Sequence, residues 1–339
     1  MIRSFIFTVT ILSIGSGCIG AEGLNRTTVD PFIDELVGRH GFDQRALRSL
    51  FDKVERLPSV LAAISRPAES KPWYQYRPIF VTPSRARAGA ALWRKHSQLL
   101  AQVEKRYEVP AEVILAILGV ETFYGRQSGN YRVLDALATL AFHYPPRALF
   151  FRSELEHLLL LSREQHLDPR AIQGSYAGAM GLPQFIPSSY RRYAVDFDDD
   201  QLIDLWHNPG DAMASVANYL KIHGWETGRP VAVRTRIGGR GYAQFLDGKL
   251  EPKIELTRLK QAGITPVTEI QGNPLVALIA LETETGGYEY WLGLKNFYVI
   301  TRYNRSPLYA MAVYQLAQAI RDRYREEHSA DYARKRTLP

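Results

Sequence analysis

Apolar residues recur along most of this chain at spacings of three and four, the period of an α-helix. The clearest run follows Pro110, where Val113, Ile114, Ile117, Leu118 and Val120 cover so much of the circumference that the helix must be buried on most sides. Pro110 suits the first helical position, and Glu112 suits the positive end of the helix dipole. Residues 84–107 also read as helix, and 134–140, 154–163 and 212–222 as amphipathic helices. Upstream, a segment starting at Asp30-Pro31 puts Phe32, Leu36 and Val37 on one face. Asp43 can cap a second that carries Leu47, Leu50, Phe51 and Val54. The stretch from Arg66-Pro67 to Pro83 is basic and broken by prolines, yet Trp73, Tyr74 and Tyr76 make it too aromatic for a free linker. It is expected to be an ordered connection that wraps across the fold.

Near Gly228 the period changes. Val231-Ala232-Val233-Arg234-Thr235-Arg236 is rich in β-branched residues, and 226–272 reads as an insert with some strand. Residues 276–282, 288–294 and 297–301 are expected as short strands of a small antiparallel sheet, and Ser306 as the cap of a last helix to about residue 327. The expected fold class is therefore α+β, predominantly helical, without internal repeats.

The first residues follow another rule. Met1-Ile2-Arg3, the apolar run from Phe5 to Ile14 and the small residues from Gly15 to Ala21 have the layout of a secretory signal peptide spanning 1–21. No later stretch approaches the roughly 18 apolar residues of a spanning helix, so an exported and otherwise soluble protein is expected. The single cysteine, Cys18, lies in this leader, which excludes a disulfide framework and a Cys-rich zinc site. Ser16-Gly17-Cys18 resembles the end of a lipobox, although Gly15 stands where a branched apolar residue is expected; ordinary cleavage near Gly20 or Ala21 is the other reading. The 339 residues carry 42 Lys+Arg and 35 Asp+Glu, a net charge of +7, which suits an anionic neighbour. Loss of the leader removes only Arg3 among the charges and lowers +7 to +6.

Glu121 carries the most distinctive chemistry. Steps of three and four from Ile114 through Ile117 put its carboxyl on an apolar face, and Gly125 just beyond puts it near the helix C-terminus. Burial and the negative end of the dipole both disfavour ionisation, which is what a general acid requires. A buried glutamate paired with Arg126 or Arg132 is the structural alternative. The run Gly174-Ser175-Tyr176-Ala177-Gly178-Ala179-Met180-Gly181 lacks a phosphate-loop ending, so its small residues admit either a packed helix or a bound sugar. Asp196, Asp198, Asp200 and Asp204 occupy positions 1, 3, 5 and 9 of an EF-hand-like loop. Gln201 replaces its glycine and His207 its final acid. The histidines show no metal-binding spacing. Aromatic and amide side chains gather at 296–298 and 301–306 and, with Tyr309, suit either a sugar groove or a core.

Together these segments resemble the B-type lytic murein transglycosylases. Gly119-Val120-Glu121-Thr122-Phe123-Tyr124-Gly125 matches the family's catalytic motif, and 134–140, 144–147, 174–181, 184–190, 215–219 and 297–306 follow in collinear order. The resemblance implies a lysozyme-like catalytic core at 108–225, preceded by an N-terminal helical region and wrapping segment at 22–107. The insert at 226–272 would follow, and 273–339 would complete the core with a small sheet and a C-terminal helix. It implies cleavage of the bond between N-acetylmuramic acid and N-acetylglucosamine in peptidoglycan, with Glu121 as acid and base and a 1,6-anhydro ring as product.

Ser175, Gln184, Tyr219, Tyr303, Asn304 and Tyr309 match saccharide-contacting residues of relatives, and Arg147 matches a basic residue near the peptide side. The 196–204 loop matches a structural calcium loop, and no other cofactor is expected. The expected partners are glycan strands and other cell-wall enzymes, with no nucleic acid, for which a basic helix motif is missing. A monomer in a Gram-negative-type periplasm is expected, touching the outer membrane only through a lipid on Cys18. The alternatives are a lysozyme-type hydrolase using Asp135 or Glu282 as a second acid, or a non-catalytic peptidoglycan-binding protein.

Overall fold

Helices dominate the computed structural model, which describes residues 24–65 and 71–336, with side chains as far as residue 327. The leader and Cys18 lie outside the described residues. Two compact units divide the chain, each with its own interior: one takes residues 71–124 and 213–336, the other 24–65 and 125–212.

The first unit is built around the helix Ala111–Thr122, whose Ile114, Leu115, Ala116 and Ile117 have no accessible surface. Each such aliphatic side chain beyond alanine contributes about 1.5–3 kcal/mol by leaving water. Helices Pro83–Lys95, Ser97–Tyr107 and Pro307–Arg336 pack against it. Two glycines permit the close approach: a Cβ at Gly89 would come within 2.8 Å of Ile320 Cγ1, and one at Gly119 within 3.0 Å of Leu316 Cδ2. The last helix starts after Ser306, whose Oγ accepts the Tyr309 N–H as expected of a cap.

The same unit carries a five-stranded antiparallel sheet. Its spatial order is Ile254–Glu255, Leu275–Glu282, Tyr288–Gly293, Ala232–Ile237, Ile264–Pro266. Leu278 lies opposite Leu292 in the register, and both face a core with Phe245, Leu256, Leu259 and Ile264. The short strands expected at 276–282 and 288–294 are thus present, the second ending at Gly293.

Residues 297–301 are not a strand. They lie in the helix Lys295–Tyr303, despite the β-branched run Val299-Ile300-Thr301. Phe297, Ile300 and Thr301 are buried at helical spacing. Asn296 pins the helix start: its Nδ2 donates to the Glu226 and Arg229 carbonyls, and its Oδ1 accepts the Glu226 N–H. Tertiary packing outweighs local propensity here. The stretch expected to wrap across the fold is likewise helical at Trp73–Phe80, where Trp73, Tyr76 and Phe80 are buried at steps of three and four. Pro78 sits inside that helix, so the prolines masked its period.

In the second unit, helices Val133–His143 and Ala148–Glu164 pack together through Leu137, Leu155, Leu158 and neighbours. Asp43 caps Gln44–Phe51 by accepting the Ala46 N–H. The preceding helix is Arg26–His40, capped by Asn25 instead of starting at Asp30-Pro31, and Pro31 lies inside it. The short helix Pro187–Tyr193 begins on Glu154, which accepts the Ser188 N–H and Oγ–H at 2.9 and 2.7 Å.

Candidate active site

Glu121 lies in the last turn of its helix, with a partly accessible side chain. Burial raises its carboxyl from 4.5 to about 8, against the opposing pull of a hydrogen bond from Tyr309. That bond, Tyr309 Oη to Glu121 Oε1, is 2.5 Å long, in the range of charge-assisted hydroxyl–carboxylate bonds. Tyr309 is 1% exposed, and burial, followed by the Glu121 charge, holds its phenol well above the ordinary value. Tyr303 stacks on it with centroids 6.4 Å apart, and Tyr219 meets Tyr303 edge-on at 4.8 Å. Tyr219 is anchored in turn by donating to the Arg302 carbonyl at 2.5 Å. Asn304 follows Tyr303 in extended backbone; it is 8% exposed, and its Oδ1 is buried without a hydrogen-bond partner. The first unit thus brings the Tyr219, Tyr303 and Tyr309 rings in series to the Glu121 carboxyl, with Asn304 next to Tyr303 in the chain.

The end of the glutamate helix is held by residues that its period does not announce. Phe123 and Tyr124 both adopt left-handed backbone, with φ of 49° and 58°. Each is a conformation that costs a non-glycine residue about 1 kcal/mol or more. Their N–H groups fold back to the Gly119 and Leu118 carbonyls. The Arg85 guanidinium lies 4.6 Å from the Phe123 ring centroid and 5.3 Å from that of Phe80, and Nη1 donates to the Ile79 carbonyl at 2.5 Å. Tyr124 Oη donates to the Arg85 carbonyl at 3.0 Å, in space that Gly89 and Gly119 leave open. The glycines at 89 and 119 are the sequence signals for this clasp.

The remaining expected contacts lie in the second unit. Ser175 is 2% exposed, and its Oγ accepts the Ala177 and Ala179 N–H groups at 3.3 and 3.0 Å. The glycine run is tightly packed: a Cβ at Gly178 would come within 2.5 Å of Leu137, and one at Gly174 within 2.1 Å of the Ala179 carbonyl. Gln184 has φ of 52° and donates to the Ser128 and Gly181 carbonyls, while its Oε1 is buried without a hydrogen-bond partner. The Arg147 guanidinium rests 4.1 Å from the Phe150 ring centroid.

Neither proposed second acid is placed for catalysis. Asp135 is buried and bidentate to Arg132, at 2.6 and 2.7 Å, and accepts the Glu55 N–H. Arg132 is thereby committed to Asp135. Glu282 is exposed at a strand end, opposite Tyr288.

In the acidic loop, carboxylate oxygens of Asp196, Asp198 and Asp211 lie within 4.8 Å of one another. Asp211 follows the loop and was not part of the expected set; it is fully buried, and its two oxygens accept the Phe197 and Asp204 N–H groups at 2.8 Å each. Burial raises its pKa, and the charges of Asp198 and Asp196 add to the rise. Asp200 and Asp204 instead accept N–H groups of nearby residues, Leu202 for the first, Trp206 and His207 for the second. Gln201 takes the left-handed position, φ 71°, where a glycine was expected. The site fits a divalent cation: three hard oxygen donors of like charge converge, one from a buried residue.

The transglycosylase SLT domain family matches residues 25–318. Membrane-bound lytic murein transglycosylase B of Escherichia coli strain K12 is 44% identical over 312 residues, 89% of this chain and 85% of the relative. The crystal structure of soluble lytic transglycosylase SltB1 from Pseudomonas aeruginosa matches with a TM-score of 0.82 at 51% identity, covering 87% of this chain and 99% of that one. Escherichia coli lytic transglycosylase Slt35, solved in complex with calcium, matches with a TM-score of 0.82 at 43% identity, over 90% of this chain and 96% of its own. With its lysozyme-like α+β fold and the match over residues 25–318, this chain belongs to the transglycosylase SLT family of lytic murein transglycosylases.

Proposed function

We propose that this protein cleaves the β-1,4 bond between N-acetylmuramic acid and N-acetylglucosamine in peptidoglycan strands, leaving 1,6-anhydro ends, with Glu121 as the only acid/base. The observation that carries this is the Glu121 carboxyl raised to about 8 under the Tyr309 hydroxyl. At pH 7 about nine in ten such groups are protonated, ready to donate to the glycosidic oxygen as its bond to C1 breaks. The resulting carboxylate, steadied by Tyr309, then takes the proton of the muramic C6 hydroxyl as O6 closes on C1. The nucleophile belongs to the substrate, so neither a second carboxylate nor a water is consumed. Asp135, held by Arg132, and Glu282, at a strand end, speak against a two-acid hydrolase.

The unpartnered Asn304 Oδ1 suits the N–H of a 2-acetamido group, and the Tyr303 and Tyr219 rings suit a sugar face. Arg147, Ser175 and Gln184 are proposed as further substrate contacts, supported for Gln184 by its unpartnered Oε1. Digestion of purified sacculi tests the assignment by mass spectrometry, because an anhydro end is lighter than a reducing end by one water. Glu121→Gln should lower turnover by about 10²–10⁴-fold; normal turnover, or reducing ends from the wild type, would refute it.

Calcium is proposed at Asp196, Asp198 and Asp211, where it would neutralise converging charge and brace the loop without entering the reaction. Calcium should raise Tm and a chelator lower it, both effects vanishing in Asp211→Asn. Export to the periplasm is proposed from the leader. Among the described residues no helix is long and apolar enough to cross a membrane, which is consistent with attachment through a lipid on Cys18. Incorporation of labelled fatty acid, lost in Cys18→Ser, would establish the anchor, and no incorporation would establish cleavage of the leader near Gly20 or Ala21.

A further inference from the structure

A cleft of about 920 Å³ opens beside the sheet, wholly within the first unit and formed by residues other than those of the glutamate pocket. Its floor is apolar: Ile270 and Leu294 line it and are each 6% exposed. Pro230, Pro252 and Pro274 are among its lining residues, each with its φ fixed by the ring. Its lining carries both signs of charge, with Arg229 and Lys295 near Glu226, Glu251 and Glu269. Lys295 and Tyr298 are three residues apart on the helix Lys295–Tyr303, so they share the face turned to the cleft. The same helix ends at Tyr303, beside Asn304 in the glutamate pocket.

These features select among ligands. A glycan without stems offers only the lactyl carboxylates of its muramic acids and no ammonium for the glutamates, and a polyanion would face three glutamates. A short peptide with both free carboxylate and free ammonium groups satisfies both signs, and its apolar carbons match the floor. The reach also fits. Lys295 precedes Tyr303 by eight residues, about 12 Å of helix, and four extended peptide residues span about 13 Å.

We propose that this cleft binds a peptide stem of peptidoglycan, carried by a muramic acid near the sugars held at Tyr303 and Asn304. This rests on the reading of peptidoglycan as substrate. The cleft would then favour strands that still bear stems over strands that have lost them.

The test compares the full-length wild type on glycan strands with intact stems and on the same strands stripped by an amidase. Stripping should raise KM by about three- to tenfold, as expected for loss of a few rim contacts, with kcat unchanged. The charge reversal Arg229→Glu with Lys295→Glu should erase that preference while leaving turnover of stripped strands at the wild-type value. Equal wild-type KM on both substrates would overturn the proposal, as would a variant equally impaired on both. Titration of the free stem peptide into the Glu121→Gln full chain, followed by NMR, decides the cleft independently of catalysis. Shifts should cluster at 229, 270, 295 and 298; their absence at millimolar peptide overturns it. Failure to form anhydro ends on either substrate refutes the reaction assigned to Glu121, and the titration still decides the cleft.

Discussion

Keeping Glu121 protonated has a measurable cost in stability. In the unfolded chain this carboxyl titrates near 4.5, and in the native chain near 8. Below pH 4.5 both states hold the proton, and the site costs nothing. Between 4.5 and 8 the native state binds a proton that the unfolded state has released, so stability falls as pH rises through this window. At about 1.36 kcal/mol per pH unit, the cost reaches about 3 kcal/mol at pH 7 and at most about 5 kcal/mol above pH 8. Glu121→Gln removes the titration while keeping the shape and an oxygen that can accept from Tyr309. The variant should therefore match the wild type near pH 4 and exceed it increasingly towards pH 8. Thermal unfolding at pH 4, 6 and 8.5 in buffers of matched ionic strength measures this as a widening difference in Tm. A difference independent of pH, or a variant less stable than the wild type at pH 8.5, would show that burial of Glu121 does not control its proton.

Other perturbations probe the surroundings. Tyr309→Phe removes the bond that favours the carboxylate, so the alkaline limb of kcat/KM should move up by about one pH unit; an unmoved or acid-shifted limb contradicts the assignment. Arg85→Met leaves the Phe80 and Phe123 rings without their cation and should cost about 1–2 kcal/mol, seen as a lower Tm. Its kcat should fall with KM unchanged if the clasp positions Glu121. Gly119→Ala drives a Cβ to 2.6 Å from Tyr124 Oη and should destabilise by about 1–3 kcal/mol in urea unfolding. Asp135→Asn leaves Arg132 half-buried opposite an amide and should cost about 3 kcal/mol without changing the anhydro product. Loss of turnover in the folded variant would restore Asp135 as a catalytic acid.

Much was decided by local order along the chain. Helix formation couples residues three and four apart, so the burial of Ile114 and Ile117 and the placing of Glu121 on an apolar helix near its C-terminus were legible from spacing alone. The caps at Asp43 and Ser306 were legible because a short polar side chain there can accept a first-turn N–H, and the strands at 276–282 and 288–294 because short apolar, β-branched and aromatic runs are bounded by turn residues. The ordered motifs from 119 to 306 carried the family, because each keeps the residue types its chemistry needs.

What surrounds the carboxyl was decided by the tertiary structure. Tyr309 is 188 residues from Glu121, and no period in the sequence links them. The Arg85 cation over Phe123, Asp211 beside Asp196 and Asp198, and the bidentate Arg132–Asp135 pair are likewise choices of packing. Packing also turned Phe297, Val299 and Ile300 into helix, because burial at helical spacing and the anchoring of Asn296 outweigh β-branched preference. The sequence by itself thus determined which residue could be an acid and where along the chain it lay. Only the folded neighbourhood, by withdrawing Glu121 from water more strongly than the Tyr309 hydroxyl favours its carboxylate, decided that the acid would keep its proton near pH 7.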